Sequence, residues 1–318
     1  MAIFRLEIRS LGRSSGRRAT SAAAYRSGER IRDARTGRVY DHTGRTDVLH
    51  KEIVLPAAFS HLALDWAADR STLWNSGEQA EKRSNSRVAR EFEVSLPSEL
   101  TDRFRLELTR AFAHEVADRY NIAVDMAIHA PRQGADPRSY HAHILATTRE
   151  VTGGGLGAKA SLERPERERL QRGLLPSSDE FKLLRARWAE LTNETLREAG
   201  IAARVDHRSL AAQGIDREPG PSIPHKFIAI ERMGVHSTVA DQIRENYRQR
   251  VLSRAARSAL SAREVQGKQR RETNLDDVRR AAAQAWLRYR ERDSTLGRSD
   301  TDASKGHSQG GRDEDHSL

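Results

Sequence analysis

Three histidines are spaced for metal chemistry. His141 and His143 stand two apart in Tyr140–Thr147, a run that reads as a β-strand, so both imidazoles project from one face. His129 closes the preceding candidate strand, Ala123–His129, and a strand-loop-strand hairpin through 130–139 would bring the three rings together. Three neutral imidazoles converging on one point make a divalent-metal site with positions left for water or a substrate oxygen. In a chain with 12 His the same spacing also arises by chance, with solvated rings. Glu91 and Glu93 alternate with Phe92 and Val94, so both carboxylates leave the apolar side of their strand. There they serve as a base or as partners of a ligand imidazole, or merely face solvent. Asp125 shares the face of His129 and is a third carboxylate of this kind.

Tyr25 follows the most basic segment of the chain and is flanked by Arg17, Arg18, Arg26 and Arg30, charges suited to holding a phosphodiester. A phenol with a pKa of about 10 is a weak nucleophile at neutral pH and needs a base or a metal-polarised phosphate; its attack gives a phosphotyrosine ester. The alternative is a half-buried helix tyrosine. Tyr40, beside Asp41 and His42, is a second tyrosine in a similar setting. A three-histidine metal site, an arginine-rich segment and an early tyrosine together describe DNA strand transfer.

The elements that must position these residues follow from periodicity. Ile3–Ile8 alternates as a strand, Arg17–Arg30 is a short helix carrying Tyr25 and ending near Gly28, and Leu62–Asn75 is an amphipathic helix. Arg90–Leu96 alternates as a strand up to Pro97, and Thr101–Tyr120 repeats Phe104, Leu108, Phe112 and Val116 as a helix broken by Asn121. The glycines of 153–157 read as a flexible loop, Phe181–Ala199 as a helix capped by Gly200, and Arg204–Gly214 as a short strand and turn. Beyond Gly234, polar helices are expected over Thr238–Val265 and Asn274–Arg290. This order predicts an α+β domain with an antiparallel sheet. The expected division is a domain over 1–235, a helical extension over 236–292 and a disordered polar tail over 293–318.

Composition narrows the function classes. The 318 residues hold 55 Lys+Arg against 45 Asp+Glu, a net charge of +10, and no cysteine. Without cysteine there is no disulfide framework, zinc ribbon, iron-sulfur cluster or thiol nucleophile, and a cytoplasmic location is expected. Neither a signal peptide nor membrane insertion is expected, since no stretch approaches eighteen apolar residues. Residues 1–50 carry 11 Arg against 5 acids, so the basic excess is concentrated where Tyr25 lies, and a polyanion is the expected partner. No P-loop or dinucleotide-binding glycine motif is present.

Several ordered motifs carry a resemblance to a known family. They are the opening Met-Ala-Ile-Phe-Arg, Ser21-Ala-Ala-Ala-Tyr25-Arg-Ser-Gly28, Arg90-Glu-Phe-Glu-Val-Ser-Leu-Pro97 and Ala127-Ile-His129-Ala-Pro131. His141-Ala-His143-Ile-Leu-Ala-Thr-Thr-Arg149, Gly155-Leu-Gly-Ala-Lys159 and Val205-Asp-His-Arg-Ser-Leu-Ala-Ala-Gln-Gly-Ile-Asp216 complete the set. Over roughly residues 1–235 the sequence resembles the MobA/MobL family of plasmid mobilisation relaxases, in the histidine-hydrophobe-histidine endonuclease superfamily. The resemblance implies a sheet palm with helices packed on one face, followed by a helical C-terminal extension. It implies nicking of single-stranded or supercoiled plasmid DNA at an origin of transfer, with a covalent 5′-phosphotyrosine and later rejoining. Tyr25 would be the nucleophile, His129, His141 and His143 the ligands of Mg²⁺ or Mn²⁺, and Glu91 and Glu93 the acidic pair. Arg17, Arg18, Arg26, Lys159 and Arg208 would contact DNA, with accessory mobilisation proteins and a type IV coupling protein as further partners. Three other readings stay open: a rolling-circle replication initiator, a hydrolase releasing free 5′ phosphate, and an origin-binding protein whose histidines are structural.

Overall fold

Alternation along each strand sorts its side chains onto two faces, and both faces are used. The computed structural model describes residues 2–134 and 136–299. Its strands are β1 (Leu6–Gly12), β2 (Arg30–Arg32), β3 (Val39–Asp41), β4 (Val48–Val54), β5 (Arg87–Ser95), β6 (Ile122–His129), β7 (His141–Thr152) and β8 (Gly155–Lys159). Its helices are α1 (Ala19–Ser27), α2 (Asp65–Ala68), α3 (Arg70–Ala80), α4 (Asp102–Tyr120), α5 (Glu166–Gln171), α6 (Ser177–Glu198), α7 (His225–Arg232) and α8 (Thr238–Ser299).

The main sheet is antiparallel at every pairing, in the order β1-β5-β7-β6-β4, with β8 folding back on the far end of β7. The α+β class with an antiparallel sheet is therefore as expected. Phe92, Val94, Val124, Met126, Ile128, Ala142 and Ile144 supply one face, covered by Leu108, Phe112 and Val116 of α4 and by Leu184 and Trp188 of α6. Helices are not confined to that face. Ala19, Ala22, Ala23 and Ala24 of α1, with Leu73 and Trp74 of α3, cover part of the other, against Ala89, Ala123 and Leu145. Alanines let α1 lie close to the strands, and its far end stops beside the histidines. Gly28 ends α1 with φ 64, and a Cβ there would come 3.2 Å from Val48 Cγ2, so the sharp exit requires glycine.

Several local expectations change. The helix expected over 62–75 is two helices, because Asp69 takes an extended conformation and its carboxylate accepts from Thr72 N at 2.8 Å, capping α3. The glycine loop of 153–157 is a tight turn that leads directly into β8. No strand forms over Arg204–Gly214, where the chain makes turns. The two expected polar helices are one continuous helix, α8, since Gln266–Thr273 contains a single glycine and no proline to break it. The described chain divides into two units between Gln213 and Gly214. α8 also runs to Ser299, into the segment expected as a disordered tail, and the rest of that segment lies outside the described residues. Among the described residues no helix is long and apolar enough to cross a membrane.

Phe112 locks the first layer together. Its ring meets Phe92 at 6.2 Å and Trp188 at 5.2 Å, both edge-to-face. Phe112→Ala is expected to lower unfolding stability by about 3–5 kcal/mol in urea titrations, with little change in the dependence on denaturant. A loss below about 1 kcal/mol would contradict this packing.

Candidate active site

Register alone assembles the histidines. His129 of β6 lies directly opposite His141 of β7, and His143 follows two residues along the same face. The three ring centroids are 4.9–5.2 Å apart. A carbonyl or carboxylate oxygen only accepts, so the ring nitrogen on it is the one that carries the proton. His141 Nδ1 donates to Ser139 O at 3.0 Å, His143 Nδ1 to Glu91 Oε1 at 2.7 Å, and His129 Nε2 to Arg26 O at 2.7 Å. One nitrogen of each ring is left with a lone pair: His141 Nε2, His143 Nε2 and His129 Nδ1. Arg45 Nη2 approaches the last of these at 3.4 Å. Potential ligand atoms of the three residues lie within 4.8 Å of one another, close enough to share one ion. Burial pushes the His129 imidazole down to about 3 and lowers His141 as well, so these rings are neutral, as metal ligation requires. The donor set fits a divalent cation with open positions.

Glu91 is the buried anion beside this cluster. Burial favours its neutral form, but hydrogen bonds from His143 Nδ1 and from Arg26 Nε, the latter at 2.5 Å, outweigh burial and hold the carboxyl well below the usual carboxylate range. A carboxylate so held is a poor proton acceptor. Its geometry orients His143 and ties α1 to the sheet, so of the two roles open to it, base or partner of a ligand imidazole, its contacts are those of the partner. Its Oε2 is buried and has no hydrogen-bond partner among the described residues. Glu93 lies opposite His143 in the register but pairs with Arg9 of the edge strand β1 at 3.2 Å and with Arg5, just before it, at 3.1 Å. Asp125 is committed elsewhere, accepting from Arg70 Nε at 2.9 Å and from Trp74 Nε1 at 2.8 Å.

Tyr25 sits on the last turn of α1, opposite the alanine face, with 36% of its surface exposed. Its phenol oxygen accepts from Arg132 Nη2, and the Arg45 guanidinium lies over the ring at 4.2 Å from its centroid. The ring edge of His42 packs against it at 5.2 Å. Two clefts meet at Tyr25. One, of about 450 Å³, is lined by Arg45, Asp47, Pro131 and Arg132 among others. The other, of about 470 Å³, is lined by Arg17, Arg18, Arg38, Tyr40, His42 and Glu91 among others. The helix end joins tyrosine and histidines: the Tyr25 carbonyl accepts from Arg45 Nη1 at 2.7 Å, and the next carbonyl, of Arg26, accepts from His129.

The remaining sequence-derived candidates divide. Arg17 and Arg18 line a Tyr25 cleft, as does Tyr40. Arg26 faces the same cleft, but its guanidinium is spent on Glu91 and on the carbonyl of Ala22. Lys159 is not at the site: it pairs with Glu81 at 2.8 Å and lies opposite Arg149, eight residues along β7 from His141, or roughly 26 Å. Arg208 grips Asp206 in a local turn, at 2.7 Å. Arg45, Asp47 and Arg132 were not singled out from the sequence. Arg45 and Asp47 sit in a turn without periodicity; only Arg132, three residues after His129 and directly after Pro131, carried a positional hint.

An antiparallel sheet presenting three imidazoles beside a tyrosine in arginine-lined clefts agrees with the resemblance drawn from the motifs. The chain belongs to the MobA/MobL family, whose model matches residues 17–233. It is 36% identical to mobilization protein MobL of Acidithiobacillus ferridurans, over 92% of this chain and 80% of that protein. It is 33% identical to a probable mobilization protein MobA of Bifidobacterium longum, over 82% of this chain but only 50% of that longer protein. Among solved structures it is similar to one described as the molecular basis of vancomycin resistance transfer in Staphylococcus aureus, with a TM-score of 0.55 and 27% identity, covering 65% of this chain and all of that one.

The lowered imidazoles set a pH dependence for the metal-free protein. An unfolded histidine titrates near 6.5 and His129 folded at about 3, so the unfolded chain binds the proton first. The stability that His129 contributes is complete above about 6.5 and is lost progressively as pH falls toward about 3. Asp47, held at about 2 by Arg45 and partly opposed by burial, loses its contribution only at more acid pH. With EDTA present, His129→Gln is expected to flatten the decline in urea midpoint between about pH 7 and about pH 5; an unchanged decline would contradict a buried neutral ring.

Proposed function

We propose that the protein nicks one strand of plasmid DNA at an origin of transfer, holds the 5′ phosphate as an ester of Tyr25, and later rejoins the strand. One observation carries this conclusion: the last turn of α1 presents Tyr25 to two arginine-lined clefts while its Arg26 carbonyl is bonded to a member of the histidine cluster. Nucleophile and metal-ligand cluster are thereby parts of one rigid piece.

In the reaction the Tyr25 oxygen forms a bond to phosphorus, the bond from phosphorus to O3′ breaks, and the departing oxygen takes up a proton as a 3′ hydroxyl. The phenol proton passes to solvent, to which the ring is open. Among the described residues no carboxylate hydrogen-bonds the phenol oxygen, so Glu91 and Glu93 act by orientation and charge rather than by direct proton abstraction. Arg132 remains on the oxygen as it becomes an ester, and Arg45 above the ring offsets the charge of the approaching phosphate. One phosphodiester is exchanged for another, so the step is close to balanced in free energy and reverses without a nucleotide; this agrees with the missing P-loop. A divalent ion on His129, His141 and His143 would draw charge from a non-bridging phosphate oxygen, and imidazole ligands favour Mn²⁺ over Mg²⁺.

The test uses single-stranded oligonucleotides tiled across the DNA flanking the gene, with Mn²⁺ or Mg²⁺ or with EDTA, read on a denaturing gel. The expected result is a protein band shifted by covalent DNA, absent with EDTA and absent in Tyr25→Phe. Arg132→Gln is expected to slow adduct formation by about 10²-fold. An adduct that persists in Tyr25→Phe would move the nucleophile to Tyr40, which lines the same cleft. Cleaved ends without an adduct would establish hydrolysis instead.

A further inference from the structure

We propose that α8 carries a second nucleic-acid contact, a phosphate-binding stripe built from residues outside the Tyr25 clefts and directed at duplex DNA of any sequence. Between Arg248 and Arg271 eight side chains are basic and one, Glu264, is acidic. Arg257, Arg263, Lys268, Arg270 and Arg271 are exposed and make no ion pair with any described residue. The habit in the sheet-bearing unit is the opposite: Arg13 pairs with Glu78, Arg26 with Glu91, Arg45 with Asp47 and Arg110 with Glu52.

Spacing gives the charge a direction. Positions 250, 254, 257, 261, 264, 268 and 271 follow one another by threes and fours along one side of the helix; five of them are basic, with Ser261 and Glu264 between. At ~1.5 Å per residue the stripe is about 32 Å long, close to one turn of duplex DNA at ~34 Å. Arg250 and Arg254 also hold Glu218 and Asp216, at 2.7 and 2.5 Å, so the unpaired charge lies toward 257–271. Within the stripe only Glu264, one turn before Lys268, offsets the crowding of like charge. Arg254 and Arg257, like Lys268 and Arg271, are like charges one turn apart, and such pairs destabilise an isolated helix. A polyanion along the stripe removes the repulsion, so binding and stiffening of the helix go together.

An acidic membrane surface offers similar charge, but an interfacial helix needs one apolar face. Here the exposed Val251, Leu252, Leu260 and Val265 scatter around the axis rather than forming one. Duplex phosphate is therefore the partner that fits. The inference rests on the DNA reading above only for the identity of the polyanion.

The experiment uses the full chain with a fluorescent duplex of about one to three helical turns and unrelated sequence, titrated from about 50 to about 200 mM salt. The comparison is with a triple variant, Arg257→Gln, Lys268→Gln and Arg271→Gln, substitutions that keep helix propensity. Losing three phosphate contacts is expected to reduce the slope of log affinity against log salt by about 2.7 and to weaken binding at least about tenfold. Duplex should raise helical circular dichroism in the parent chain and not in the variant. Adduct formation on a short single-stranded oligonucleotide should be the same in both. Because duplex binding is measured without cleavage, failure to see an adduct would overturn the nicking reading and leave this one standing. An unchanged slope and affinity would overturn the stripe, as would binding to phosphatidylserine vesicles without binding to duplex, which would assign α8 to a membrane surface.

Discussion

The hydrogen bond from His129 Nε2 to the carbonyl of Arg26 is the constraint on which the site depends. A helix leaves its last carbonyls without intrahelical partners, and at the end of α1 that need is met by side chains of the site itself. His129 takes the Arg26 carbonyl and Arg45 takes that of Tyr25. The bond also decides which nitrogen of His129 is protonated and leaves the lone pair of the other facing the Arg45 guanidinium. A single contact thus terminates a helix, fixes a tautomer and sets the position of the tyrosine one residue earlier in the chain. Glu91 closes the arrangement from the other side, joining the Arg26 guanidinium to His143. Removing either contact would disturb tyrosine and imidazoles together.

Much of this was legible in the sequence, for a definable reason. The two-residue period of β5, β6 and β7 places Glu91, Glu93, His129, His141 and His143 on one face and Phe92, Val94 and Ile144 on the other, and pairing in register completes the cluster. Nothing beyond alternation and a hairpin is needed. Residues brought in by irregular backbone were not legible. Arg45, Asp47 and Arg132 belong to turns with no period, and their proximity to Tyr25 exists only after β4 and β6 have paired. The split of the helix at Asp69 and the continuity of α8 were misjudged for a related cause. Each is decided by one local competition, a capping carboxylate in the first case and a tolerated glycine in the second.

Charge is deployed differently in different parts of the chain. Buried arginines of the first unit act as structural connectors: Arg13 hydrogen-bonds Glu78 and the carbonyl of Glu81, and Arg169 reaches the carbonyls of Ser161 and Leu175. These groups raise the isoelectric point without being available to a ligand. Lys159 and Arg208 show the same thing at the surface, where a cation that matched a motif proves to be paired with a neighbouring carboxylate. Net charge therefore overstates the cationic surface, and the location of unpaired cations carries more information than their number.

The alanine face of α1 has a consequence for how variation in this protein would be read. Ala19, Ala23 and Ala24 are almost completely buried, and none bears a reactive group. Their smallness sets the height of the helix above the strands, and the phenol rides at the end of that helix. A single added methylene at one of them acts as a shim, lifting the lever that carries Tyr25 while the fold beneath stays intact. A survey of substitutions scored by activity would mark these chemically inert positions as essential beside the tyrosine itself, and only a parallel measure of folding would reveal that what they contribute is distance.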